Sequence, residues 1–158
     1  MSYMTRHKFG LWNKGQLTIA LALVLALLTA GCSRADENAV FVTRVIDGDT
    51  IEIEGGYRVR YIGIDAPERD DPYYFEALEA NRILVEGKKV RLEKDVEDKD
   101  EYGRLLRYVW VDNTMINAEL ISLGYAYSYS LSPNLRYREY FLQLEKEARE
   151  RGKGLWSD

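Results

Sequence analysis

Thr50-Ile51-Glu52-Ile53-Glu54-Gly55-Gly56-Tyr57-Arg58-Val59-Arg60-Tyr61-Ile62-Gly63-Ile64 is the stretch on which the fold turns. Ile51 and Ile53 alternate with Thr50, Glu52 and Glu54, the period-2 pattern of a strand with one buried face. Gly55-Gly56 suits a two-residue hairpin turn, because both central positions of such a turn take positive φ. Residues 57–64 then return as another strand, in which Gly63 marks a bend or bulge.

The same logic extends outward. Residues 40–46 are rich in β-branched side chains and read as the strand before this hairpin. After it, Asp71 is placed to cap a helix, Pro72 suits its first turn and Gly87 its end. Residues 88–93 alternate again, with Val90 and Leu92 on one face, and 105–111 form a further strand. Thr114 is placed to cap a short helix over 115–123 that Gly124 stops. The last helix carries Tyr137, Tyr140, Phe141, Leu144 and Ala148 on one stripe, with Glu145–Arg149 and Glu147–Arg151 pairs on the other face. The order is β-β-β-α-β-β-α-α. It describes an α+β, mainly β domain: either a small five-stranded barrel with about three helices or a mixed sandwich.

Composition narrows the chemistry. A chain of 158 residues with 46% hydrophobic and 30% charged residues has the material for one folded domain, not a disordered chain. Its single histidine, His7, and single cysteine, Cys32, both lie near the N-terminus. The remainder therefore excludes histidine triads, zinc sites built from His or Cys, thiol nucleophiles and internal disulfides.

That N-terminus reads as a leader. Arg6, Lys8 and Lys14 precede an uncharged apolar run over 17–30, the pattern of a secretory signal. Leu28-Thr29-Ala30-Gly31-Cys32 resembles a bacterial lipoprotein signal, in which the cysteine is lipidated and becomes the new N-terminus; Leu28 stands one place further from it than is usual. A plain secreted form and a retained anchor are the alternatives. The expected organisation is a signal at 1–32, a small polar tether at 33–39 and one domain at 40–158. Removing 1–32 takes away three cations and no anion, so 22 Lys+Arg against 26 Asp+Glu become 19 against 26, a net charge of −7. No global basic field draws in a polyanion.

Three short stretches carry the chemistry: Asp47-Gly48-Asp49, then Arg60 leading into Asp65-Ala66-Pro67-Glu68, then Asp100-Glu101-Tyr102-Gly103-Arg104. Each alone reads as a turn. Pro67 holds Ala66 extended, which sets the Ala66 carbonyl beside the Asp65 carboxylate. Carboxylates, a carbonyl and water make a hard-oxygen site of the calcium kind. Two arginines aimed at one point can grip a phosphate through paired N–H bonds.

In this order and at these separations, in a small strand-rich domain, the three stretches resemble the thermonuclease (staphylococcal nuclease-like) family. The resemblance covers roughly residue 40 to the end. It implies an OB-type Greek-key barrel and a metal-dependent nuclease that breaks the P–O5′ bond of DNA or RNA and leaves 3′-phosphates. It implies that Asp49, Asp65 and the Ala66 backbone carbonyl hold Ca2+, with Mg2+ and Mn2+ as other oxygen-seeking candidates, and that Asp47 orients ligands and waters behind them. Arg60 and Arg104 would neutralise the phosphate, and Glu68 would deprotonate or orient the attacking water.

Tyr102, Tyr125, Tyr127 and Tyr129 are candidate stacking surfaces for bases of single-stranded or frayed nucleic acid, and equally packing residues at a barrel edge. Two features depart from the family: Glu101 stands where a lysine would hold a terminal phosphate, and the loop over 68–72 is short and acidic. The expected substrate is nucleic acid, weakly held in long duplex form, and the chain is expected to be an exported monomer that meets a membrane only through its leader or lipid. The competing expectation is a catalytically silent OB-type binding module of the cell envelope.

Overall fold

Ile51 and Ile53 both face the core, at 0% and 4% exposure, while Glu54 points to solvent, so the alternation sets the inner face of the hairpin as expected. The computed structural model describes residues 39–157. The expected leader at 1–32, including Cys32, and most of the tether lie outside the described residues.

The elements run β1 (Val40–Asp47), β2 (Thr50–Ile53), β3 (Tyr57–Tyr61), β4 (Ile64–Asp65), α1 (Tyr74–Val85), β5 (Lys89–Glu93), β6 (Leu105–Val111), β7 (Thr114–Met115), α2 (Ile116–Ser122), β8 (Tyr127–Ser128) and α3 (Arg138–Glu150). β2 pairs antiparallel with β1 and β3, β5 with β1 and β6, and a parallel β3–β6 ladder closes the ring. The result is a closed five-stranded OB-type barrel with three helices, and that closing ladder excludes the sandwich. β7 extends β6 as a hairpin, and β4 pairs with β8 in a separate two-stranded ribbon. Among the described residues no helix is long and apolar enough to cross a membrane.

The barrel interior is filled by Val42, Val45, Ile51, Val59, Tyr61, Val90 and Val109, with Ile116, Leu120 and Ile121 of α2 in the same core, while Tyr108 points to the other face of β6 and packs against Tyr137 and Phe141. Each such fully buried side chain contributes about 1.5–3 kcal/mol relative to exposure. On α3, Phe141 and Ala148 are buried and Leu144 partly so, as is Tyr137 just before the helix, whereas Tyr140 at the edge of the predicted stripe is half exposed. The Glu145–Arg149 and Glu147–Arg151 pairs form on its outer face.

Four local expectations are corrected. The hairpin register pairs Ile53 with Tyr57, so Glu54, Gly55 and Gly56 form a three-residue loop instead of a two-residue turn. The strand expected over 57–64 breaks at Gly63, whose φ of 80° turns Ile64–Asp65 away to meet β8. Asp71 does not cap α1: its carboxylate accepts the Glu68 N–H at 3.0 Å, and Pro72 precedes the helix. Thr114 pairs with Val111 in a ladder, and α2 starts after Met115 with no side-chain cap.

The Gly63 bend places the site, and it is pinned from several sides. A Cβ on Gly63 would lie 2.6 Å from Phe141 Cε2, so the bend needs glycine for space as well as for φ. Buried Asn117 donates to the Ile62 carbonyl at 2.9 Å and accepts the Val109 N–H at 2.9 Å, tying the bend to β6.

Candidate active site

Asp47-Gly48-Asp49 joins β1 to β2 as a tight turn in which Asp47 Oδ1 accepts the Asp49 N–H at 3.1 Å. Gly48 is required by contact: a Cβ there would stand 2.5 Å from the Ala66 Cβ and 3.1 Å from the Ala77 Cβ. The turn is therefore pressed onto the segment after β4 and onto α1. Asn81, buried on α1, holds it from behind by donating to the Asp47 carbonyl at 2.9 Å while accepting the Tyr61 hydroxyl at 2.9 Å.

This packing buries Asp49 to 6% exposure. Its Oδ2 accepts the Ala66 N–H at 2.9 Å and meets Arg60 at 3.0 Å, and its Oδ1 accepts the Thr50 hydroxyl at 3.1 Å. Burial nonetheless pushes its carboxyl up to about 7; the nearby Asp47 carboxylate adds to the rise, and the Arg60 cation and Ala66 N–H oppose it. The site is short of positive charge.

Arg60 lies on the outer face of β3, between inward Val59 and Tyr61. One terminal nitrogen donates to the Tyr61 and Ile64 carbonyls, each at 2.8 Å; the other bridges Asp49 Oδ2 at 3.0 Å and Asp65 Oδ1 at 2.8 Å. Both terminal nitrogens are thus engaged within the protein, by three hydrogen bonds and the ion pair with Asp49. A forked grip on phosphate by Arg60 is open only when a carboxylate releases it. Asp65 is the one placed to do so, with a half-exposed side chain.

Arg104 is the reverse case. Its Nε–H donates to Asp100 Oδ2 at 2.6 Å and its backbone N–H to Asp100 Oδ1 at 2.9 Å, while no other described residue accepts from its terminal nitrogens. Asp100 also accepts the Tyr102 N–H at 3.0 Å. Burial would raise the Asp100 carboxyl, but these bonds outweigh it and hold the group below its ordinary value. Sequence reasoning did not single out Asp100. An aspartate opening an Asp-x-x-Gly turn, with Gly103 at a φ of 80°, was the signal available.

Arg60 and Arg104 share the wall of a cleft of about 430 Å³ with Tyr102, Tyr129, Leu131, Lys99 and Glu101. Arg104 and Tyr102 also line an adjoining cleft of about 670 Å³ with Glu68, Arg58 and Tyr57. Glu68 is exposed, and its carboxylate has no partner among the described residues. The Arg104 guanidinium lies 5.5 Å from the Tyr102 ring centre. Tyr127 lines neither cleft: it sits opposite Asp65 in the β4–β8 ribbon, and its ring meets Trp156 edge-on at 5.3 Å.

Among the described residues no three His, Cys, Asp or Glu side chains converge as a closed metal cage. The centre offers two carboxylates, Asp49 and Asp65, gathered by one arginine nitrogen 3.0 and 2.8 Å away, with buried Ala66 directly after Asp65. An oxygen-only donor set with a charge-starved aspartate suits a hard, largely hydrated divalent ion and does not suit zinc.

Residues 58–158 match the family described as staphylococcal nuclease homologue. The chain belongs to the staphylococcal nuclease family. It is 39% identical to the thermonuclease of Staphylococcus hyicus over 139 residues, covering 82% of each chain. It is 40% identical to the thermonuclease of Staphylococcus intermedius over 124 residues, covering 73% of this chain and 74% of that one. The endonuclease YncB of Bacillus subtilis is 39% identical over 129 residues, 75% of this chain and 61% of that protein. As a member of the staphylococcal nuclease family the chain is an enzyme of the nuclease class. The segment 58–158 contains Arg60, Asp65, Glu68 and Arg104; Asp49 precedes it.

Proposed function

We propose that the chain hydrolyses phosphodiesters of single-stranded or frayed DNA and RNA at the P–O5′ bond, leaving 3′-phosphates, with the help of a hard divalent cation, calcium first. The observation that carries this reading is a pair of half-engaged groups on one cleft: Glu68, whose carboxylate has no partner among the described residues, and Arg104, whose guanidinium donates only through its Nε and which also lines the adjoining cleft with Arg60 of the Asp49–Arg60–Asp65 cluster.

Asp49 and Asp65, with the Ala66 carbonyl, would hold the ion, and Asp47 would keep the turn in shape through its bond to the Asp49 N–H. When bound, the ion supplies positive charge to the diester and to the extra charge of its transition state. Arg104 offers both terminal nitrogens to the phosphate oxygens and stabilises the departing 5′ oxygen. Glu68 takes or orients the proton of the attacking water; the water oxygen joins phosphorus, the P–O5′ bond breaks and the departing 5′ oxygen takes up a proton from solvent, to which Glu68 returns its own. Arg60 supplies a fixed cation to the same pocket and gains a hand for phosphate as Asp65 turns away. Tyr102 and Tyr129 line the clefts as surfaces for bases.

The working location is outside the cytoplasm, as a lipoprotein through Cys32 or as a secreted protein, on the strength of the basic and apolar run of the leader. Cell fractionation of the parent and a Cys32→Ser variant separates the two forms. Cleavage of single-stranded DNA by the purified protein, first with calcium and then with chelator, tests the enzymatic reading; binding without cleavage would support the silent module instead.

A further inference from the structure

Most surface cations among the described residues are paired. Arg44 meets Glu52, Arg107 meets Asp98, and Arg136 meets Glu93. The side chains of Arg58, Arg69, Lys89 and Lys99 have no hydrogen-bond or ion-pair partner among the described residues. In a chain with more acids than bases, an arginine left without a carboxylate is available to an outside anion.

Arg58 is placed for one. It stands on β3 one residue before Val59, which pairs with Leu105 in the parallel ladder; continuing the register by one step sets Arg58 beside Arg104. It lines the larger cleft with Glu68 and Arg104, whereas Arg60 lines the smaller one. Tyr57 and Tyr102 line the same cleft and are 59% and 77% exposed, with ring surface to offer. The Tyr57 ring folds over the loop glycine, since a Cβ on Gly55 would lie 3.0 Å from Tyr57 Cε2. Its volume of about 670 Å³ accommodates a nucleotide.

We propose that Tyr57, Arg58 and Tyr102 form a subsite for the nucleotide next to the scissile phosphate, an assignment that rests on the nuclease reading above. Arg58 takes the flanking phosphate, and the tyrosine rings take the base by stacking, which tolerates any base. With Glu68 in the cleft of Arg58, Arg104 and Tyr102 then stand at the junction of the two clefts. A strand crossing them is held on one side by Arg58 and on the other by the cleft of Arg60 and Tyr129. Because the chain has no basic field, this contact sets where a strand is gripped rather than how strongly polyanions are attracted in general.

The test uses the full-length protein in chelator, so that nothing is cut. Affinity for labelled oligothymidylates is measured by fluorescence anisotropy against sodium chloride concentration. Arg58→Gln should reduce the salt slope by about 0.7, the share of one phosphate contact on a single strand. Lys89→Gln, which removes an unpaired cation outside both clefts, should keep the parent slope. Trimming one nucleotide from one end of the strand should cost the parent what Arg58→Gln costs, and the two losses should not add; trimming the other end should add in full. Equal slopes for the two variants, additive losses at both ends, or a parent without measurable affinity would overturn the subsite. Cleavage by the parent after calcium addition is read separately: a parent that binds but never cuts contradicts the nuclease reading, while the slopes still decide Arg58.

Discussion

Arg104 gives its Nε–H to Asp100 Oδ2 at 2.6 Å, and that single bond decides which edge of the guanidinium faces the cleft. Asp100→Asn keeps an acceptor but removes the charge. Turnover on single-stranded DNA should fall by about 10–100-fold, an effect of the size expected for a lost outer-shell positioning contact. Arg104→Ala should fall further. The depressed Asp100 carboxyl stabilises the loop above its unfolded value and loses that contribution as pH falls through the folded one. Acid titration of the parent, followed by melting temperature, should therefore show a loss below about pH 4 that Asp100→Asn lacks.

Glu68 is exposed and its carboxylate has no hydrogen-bond or ion-pair partner among the described residues, so its replacement is chemically costly and structurally cheap. Glu68→Gln should lower kcat by roughly 100–10,000-fold. Its denaturation midpoint should match the parent within about 0.5 kcal/mol of stability. Near-parent turnover would remove Glu68 from the reaction.

The raised carboxyl of Asp49 makes a signed prediction. Its folded value, about 7, lies above the unfolded one, so between about pH 4 and 7 the folded state holds a proton that the unfolded chain has released. In chelator, stability should fall as pH rises through that window. Calcium should restore it increasingly towards pH 8, because the ion competes with the proton for the same oxygens. Asp49→Asn should be the more stable protein at pH 8 in chelator and should lose the calcium response. Thermal melts across pH 5–8, with and without calcium, measure both.

Gly48→Ala places a methyl 2.5 Å from the Ala66 Cβ. Overpacking of this kind costs about 1–3 kcal/mol. Because the strain falls between the Asp49 turn and the segment after Asp65, the calcium concentration for half-maximal activity should rise more than the loss of stability alone accounts for. A denaturant melt paired with a calcium titration separates the two effects.

The barrel strands were legible because each carries its own period: Ile51 and Ile53 against Glu52 and Glu54, or Val59 and Tyr61 against Arg58 and Arg60. Gly63 announced its bend, and α3 its charged pairs. What stayed hidden depends on partners far along the chain. β4 is two residues long and exists only against Tyr127–Ser128. Thr114 had the residue type of a helix cap, yet the Val111 ladder claims it. Arg60 and Arg104 read alike in the sequence, as arginines near turns. Only the fold distinguishes an arginine whose terminal nitrogens are all engaged by Asp49, Asp65 and two carbonyls from one tethered by Asp100 at its Nε. Buried Asn81 and Asn117 left no local trace either, because an asparagine on a helix does not say which distant carbonyl it will meet.

The most direct measurement is cleavage of a labelled single-stranded DNA by the full-length protein across a calcium titration, closed by an excess of chelator. Hydrolysis should appear with calcium, saturate, yield 3′-phosphate ends and stop on chelation. Hydrolysis at full rate in chelator, or none at any concentration of calcium, magnesium or manganese, would contradict a carboxylate-held ion at Asp49 and Asp65.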